Sequence, residues 1–157
     1  MNRKDIVNPY PNATITAEVL NQKLPKGIRA HSVFNPGGIK IGVREILLVR
    51  FEDFSGFSGL AAIEIFGEGE NFEVIPGSII PPEPGKIAYE DPRIVWLDGK
   101  CIITYVKVYQ ENAFVSYPRV SLMTTNDCSS YEQIGDAVFL GADKTMGRDN
   151  KDACVFP

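Results

Sequence analysis

A single histidine, His31, cannot build a metal site by itself. Cys101, Cys128 and Cys154 are odd in number and are spaced neither as metal-ligand pairs nor as a redox Cys-x-x-Cys, so they read as free thiols of a reducing compartment. No block of like charge is present: 16 Lys and Arg stand against 20 Asp and Glu, a mildly acidic balance with nothing to track a phosphate backbone, so nucleic acid is not an expected partner. Long apolar runs are also missing. The opening Met1-Asn2-Arg3-Lys4-Asp5 turns polar with no signal-peptide core behind it, and no run approaches bilayer length. The expectation is a soluble cytoplasmic protein without membrane contact, in which the acceptor-like Asn12-Ala13-Thr14 carries no weight. Finally, no stretch of eleven or more residues sustains a 3.6-residue apolar period, which leaves an all-β fold.

What is present is a core's worth of apolar residues, 44% of 157, enough for one domain. Residues 1–30 read as an extended, turn-rich lead-in broken by Pro9, Pro11, Pro25 and Gly27. From residue 31 the pattern becomes that of an antiparallel meander. Short branched and aromatic runs at 32–34, 38–43, 46–51 and 59–66 are separated by turn formers, and 71–75 supplies a short outer strand. Residues 76–86, too proline-dense for an interior strand, predict a surface connection.

A second unit then restates the first, with strands at 92–97, 100–109, 119–124 and 132–134 and a hairpin turn at Asp98-Gly99. Pro36 maps onto Pro92, Ile46 onto Ile102 and Phe72 onto Tyr131, about three extra residues falling in a loop around Gln110 to Ser116. Beyond a connection over 136–149, Asn150-Lys151-Asp152-Ala153-Cys154-Val155-Phe156-Pro157 opens a third unit, with Asp152 equivalent to Asp91. A repeat of this length, four strands per unit, predicts propeller blades. Two units and one strand leave faces and edges uncovered, so the chain reads as the front part of something longer, with self-association through open edges as one consequence.

The chemistry concentrates at Tyr89-Glu90-Asp91-Pro92-Arg93, two adjacent carboxylates and an arginine on the rim of a strand. Its counterpart is Phe34-Asn35-Pro36, followed by Arg50 at the end of an apolar strand. Each has an ordinary alternative. The carboxylates cap a turn and pair with Arg93, Arg50 pairs with Glu52 or Asp53 on the surface, and Asn35 is a turn asparagine beside proline. Of the aromatics, Trp96 reads as core by strand alternation, Tyr89 is the better sugar-stacking candidate, and His31 is peripheral.

These blocks, together with Leu48-Val49-Arg50-Phe51-Glu52-Asp53 and Asn150-Lys151-Asp152 with Val155-Phe156-Pro157, resemble glycoside hydrolase family 130 in order and spacing. The family holds β-mannoside phosphorylases and related hydrolases. The resemblance implies a five-bladed β-propeller, here its N-terminal part over residues 31–157, with the sugar in a central funnel reached by Asn35, Asp91 and Asp152. It implies inverting phosphorolysis of β-mannosides to mannose 1-phosphate, with inorganic phosphate as co-substrate and no cofactor. Asp91 is then the general acid, and Asn35, Arg50, Glu90, Arg93, Lys151 and Asp152 bind substrate. An inverting phosphorylase needs one proton donor and a cationic pocket, whereas inverting hydrolysis needs a second carboxylate. The acid must hold its proton, to which a nearby Glu90 charge contributes. Adjacent strand residues face opposite sides, so only partial coupling is expected. Lys151 stands where the phosphorylases carry a basic phosphate ligand, often arginine, and Asp152 is alternatively the second carboxylate of a hydrolase. A hydrolase of the same family and a truncated, non-catalytic propeller fragment remain the competing readings.

Overall fold

The computed structural model describes residues 14–67, 71–137 and 153–155. They form a one-turn helix, α1 (Ala17–Asn21), and eight strands: β1 (Ser32–Ile41), β2 (Arg44–Glu52), β3 (Ser58–Phe66), β4 (Asn71–Val74), β5 (Ile87–Leu97), β6 (Lys100–Asn112), β7 (Val115–Thr125) and β8 (Glu132–Asp136). Two four-stranded antiparallel sheets result, ordered β1-β2-β3-β4 and β5-β6-β7-β8, so every neighbour in a sheet is also a neighbour in sequence. The all-β expectation and the division into two four-stranded units both hold.

Period-two alternation explains how the sheets pack. Ile46 and Leu48 of β2, with Leu60 and Ala62 of β3, turn one face toward Tyr89, Ile103, Tyr105 and Met123 of the second sheet, and all are buried. The odd residues Val49, Phe51, Ala61 and Ile63 point the other way and meet Leu20 and Ala30. The first sheet is thus covered on both faces, and each fully buried Leu or Phe contributes about 1.5–3 kcal/mol of transfer free energy.

Three sequence expectations change here. The lead-in is not extended throughout, because residues 17–21 form α1, capped by Thr16, whose side chain accepts from the Val19 amide. A helix this short has no stability of its own, and burial of Leu20 holds it in place. Asn21 pins the next stretch, donating Nδ2 to the Ala30 carbonyl at 2.8 Å and accepting from the Ala30 amide at 2.7 Å. The proline-rich connection does not simply cross the surface. Ile80 exchanges backbone hydrogen bonds with Leu60, and the fully buried Ser78 hydroxyl bridges the amide and carbonyl of Ala62. The extra residues of the second unit make no loose loop either. They lengthen β6 and β7 into a hairpin that passes through a register shift between Gln110 and Asn112, with Phe114 fully exposed at its tip. The Asp98-Gly99 turn forms as expected, both residues having positive φ, 49° and 81°.

Candidate active site

The two units carry the same irregularity at the same point. Pairing of β1 with β2 slips between Phe34 and Gly37, and pairing of β5 with β6 slips between Glu90 and Arg93. In each bulge the polar residue before proline is left-handed, Asn35 at φ 47° and Asp91 at φ 46°. Asn and Asp tolerate this conformation better than other residues with a Cβ, and a bulge re-aims the side chain that carries it. Here the two bulges are aimed at each other: Asn35 Nδ2 donates to Asp91 Oδ1 at 2.8 Å. The backbones approach so closely that a Cβ on Gly37 would lie 2.8 Å from the Pro92 carbonyl oxygen, which is why β1 carries no side chain there.

Arg50 completes the cluster from β2. Its Nη1 donates to Asp91 Oδ1 at 3.0 Å, its Nη2 to Glu90 Oε1 at 2.8 Å, and its Nε to Ser58 Oγ at 2.9 Å. The guanidinium also lies over the Phe34 ring, 4.4 Å from its centroid. The Arg50 side chain is 13% exposed, that of Asp91 9% and that of Glu90 22%, so this is a largely desolvated network rather than a surface pair. Three of the five guanidinium N–H groups are engaged this way among the described residues.

The structure therefore brings Asn35, Arg50, Glu90 and Asp91 together. Alternation along β5 led to the expectation that Glu90 and Asp91 face opposite sides, and the bulge overturns it, since both carboxylates grip one guanidinium. Arg50 pairs across to β5 and not with Glu52 or Asp53 beside it. Asp53 instead closes its own turn, accepting from the Ser55 hydroxyl and the amides of Ser55 and Phe57, bonds that hold its carboxyl below the usual range against the opposing effect of burial. Arg93 sits just past the bulge with an exposed side chain whose Nη1 donates to the Pro92 carbonyl at 2.9 Å. Lys151 and Asp152 lie outside the described residues. The next residue, Ala153, accepts through its carbonyl from Thr104 Oγ1 of the second sheet at 2.8 Å.

The aromatic expectations reverse. Tyr89 is a core residue, its ring beside Tyr105 and its hydroxyl donating to Glu83, and burial followed by the Glu83 charge pushes its pKa up to about 12. Trp96, expected in the core, is 45% exposed. It lies at the end of β5, next to the last pair before the Asp98-Gly99 turn, where the sheet runs out into solvent. Sequence reading missed Ser58 and Phe34, which seat the guanidinium from its Nε edge and its face. A buried serine directly opposite the end of an arginine-bearing strand was the available signal.

Beside the cluster lies a cleft of about 250 Å³ lined by Glu90, Gln110, Ser116 and the turn residues Gly56 and Phe57. A larger hollow of about 460 Å³, between Arg29, Phe54 and the prolines 81, 82 and 84, lies on the Phe51 side of the first sheet, away from Arg50. Among the described residues no group of three or more His, Cys, Asp and Glu is placed to hold a metal ion.

No protein-family model matches the chain, and no curated protein matches its sequence. Solved structures do share its fold. A protein of Parabacteroides distasonis inferred to be a glycoside hydrolase superposes with a TM-score of 0.52 at 24% identity, over 74% of this chain and 36% of the other. Two more superpose at a TM-score of 0.51 and 24% identity, over 73% of this chain and 34% of theirs. One is a glycosyl hydrolase from Bacteroides ovatus. The other concerns the GH130 family of mannoside phosphorylases and the glycoside hydrolases within it that target β-1,2 mannosidic linkages in Candida mannan. The chain spans about a third of the length of these proteins and has their fold, in agreement with the family its motifs resemble.

Proposed function

We propose that this chain forms the first two blades of a five-bladed β-propeller and supplies part of a carbohydrate-active site that cleaves β-mannosides with inorganic phosphate, yielding mannose 1-phosphate. The observation that carries this reading is the cluster at the paired bulges: one aspartate reached by an amide and a guanidinium, both from the neighbouring sheet. In a propeller each blade presents the start of its innermost strand to the axis, and in this reading β1 and β5, the first edge strands of their sheets, are those strands.

Asp91 is the general acid in this reading, Asn35 and Arg50 bind the mannose at the floor of the funnel, and Glu90 holds Arg50. Arg93 flanks the acid, and Lys151 adds charge for phosphate. Inverting hydrolysis requires two carboxylates far enough apart to leave room for a water between them. Glu90 and Asp91 instead share one guanidinium, which favours phosphate as the nucleophile over water activated by Glu90. Hydrolysis of β-1,2 mannosidic linkages is the second reading, favoured by the hydrolases named with one structural relative. A second carboxylate, Asp152 or another, would then serve as base.

The test is product analysis with β-1,2- and β-1,4-mannobiose, with and without inorganic phosphate. Phosphate-dependent release of mannose 1-phosphate supports the proposal, and equal release of free mannose in both cases supports the hydrolase. In a chain completed by the remaining blades, Asp91→Asn should lower turnover about 100- to 10,000-fold, the usual contribution of a general acid. Near-normal turnover would remove Asp91 from that role.

A further inference from the structure

We infer that the cleft between Glu90 and the β6–β7 hairpin receives a second sugar ring of the substrate, and that Gln110 selects it. This inference rests on the proposed mannoside-cleaving function and names the part of the site that function leaves open. Glu90 is shared between the two places: its carboxylate binds Arg50 on one side and lines the cleft on the other. A ring seated there is therefore adjacent to whatever lies against Asp91. At about 250 Å³ the cleft holds one pyranose ring. Its walls combine the apolar surface of Phe57 and Val108 with the polar groups of Glu90, Gln110 and Ser116, the mixture a sugar presents in return.

Gln110 is the unusual member. Its side-chain Oε1 is buried and has no hydrogen-bond partner among the described residues. A buried acceptor left unmatched is costly, and in a native structure it calls for a donor from elsewhere. The backbone around it is fixed, since the Gln110 amide donates to the Lys86 carbonyl at 2.8 Å and the residue pairs with Ser116 across the hairpin. Only the terminal amide has freedom, and that torsion is soft. A small turn of the amide toward the cleft lets Oε1 accept from a sugar hydroxyl, with Ser116 opposite. The hairpin that carries both residues is the segment by which the second unit outgrows the first, so this wall is an addition specific to one unit of the repeat.

The experiment is calorimetric titration of the full chain with mannose and with β-1,2- and β-1,4-mannobiose, for wild type, Gln110→Leu and Ser116→Ala, with a thermal melt of each. One of the disaccharides should bind wild type about five- to tenfold tighter than mannose, and Gln110→Leu should erase that advantage while mannose affinity stays the same. The melting temperature of Gln110→Leu should hold or rise, because an unmatched buried acceptor has been removed. An unchanged disaccharide advantage in Gln110→Leu overturns the inference and leaves the proposed function standing, as does a lowered melting temperature with unchanged affinities, which would mark Gln110 as a structural residue served by water. Should wild type bind neither mannose nor a mannobiose, the second-ring site falls, while the proposed function is judged by the product analysis. Ser116→Ala gives an independent reading of the same wall, with a smaller loss of the same sign.

Discussion

Replacing Arg50 by Gln tests whether the cluster is a working network or a decorative surface pair. The substitution removes the Arg50 cation that bridges Glu90 and Asp91 and cuts three side-chain hydrogen bonds at 2.8–3.0 Å. Exposed ion pairs contribute about 0–1 kcal/mol, whereas removing one partner of a buried pair costs about 3–5 kcal/mol, because the remaining charge stays in place without compensation. With side chains 9–22% exposed, the network belongs between these limits, and a loss of about 2–3 kcal/mol follows. For a chain of this size that lowers the melting temperature by roughly 4–10 °C. Circular dichroism melts and urea titration measure it directly. The double variant Arg50→Gln/Glu90→Gln should recover part of the loss, since it removes one of the two neighbouring carboxylate charges, and the difference gives the coupling. An Arg50→Gln protein melting within a degree of wild type would refute the reasoning, because two carboxylates would then coexist without their cation at no cost.

Other consequences can be measured the same way. Gly37→Ala pushes a methyl to 2.8 Å from the Pro92 oxygen, so β1 and β5 must separate, costing about 1–3 kcal/mol and weakening the proposed mannoside binding together with stability. Leu20→Ala should destabilise by about 2–5 kcal/mol in a denaturant titration, as for a core leucine, if the N-terminal segment is part of the fold; a loss below half a kilocalorie would make it an appendage. Burial pushes the Cys128 thiol up to about 12 and raises that of Cys101, so a thiol reagent at pH 8 should modify the exposed Cys154 quickly and the other two only on unfolding. A raised thiol pKa means that the folded state favours the neutral form, so this contribution is complete below pH 9 and is lost as pH climbs toward 12. Melts across that range should decline, less steeply in Cys128→Ala.

Much of this architecture was legible in the residues. Branched and aromatic runs between turn formers marked the strands, and the offset of 56 residues that joins Asn35 to Asp91 in sequence is the one that joins them in space. What alternation could not convey was the pair of bulges. A strand read as unbroken puts Glu90 and Asp91 on opposite faces, and one inserted residue reverses that. The hint was present in Asn-Pro and Asp-Pro at matched positions, two residue types that accept left-handed backbone. The carboxylate partners of Arg50 were illegible for a different reason: they come from another sheet, and no local pattern states which strands will face each other. The helix at 17–21 escaped because five residues cannot display a period.

The left-handed turn at Asp91 also limits what protein engineering can do with the position. Glutamate, the obvious alternative carboxylate, would have to adopt a backbone shape that its longer side chain does little to reward, and any branched replacement would fare worse. The practical vocabulary at 91 is Asp, Asn and Gly, as it is at 35, so attempts to retune the chemistry have to work through the neighbours that touch the carboxylate.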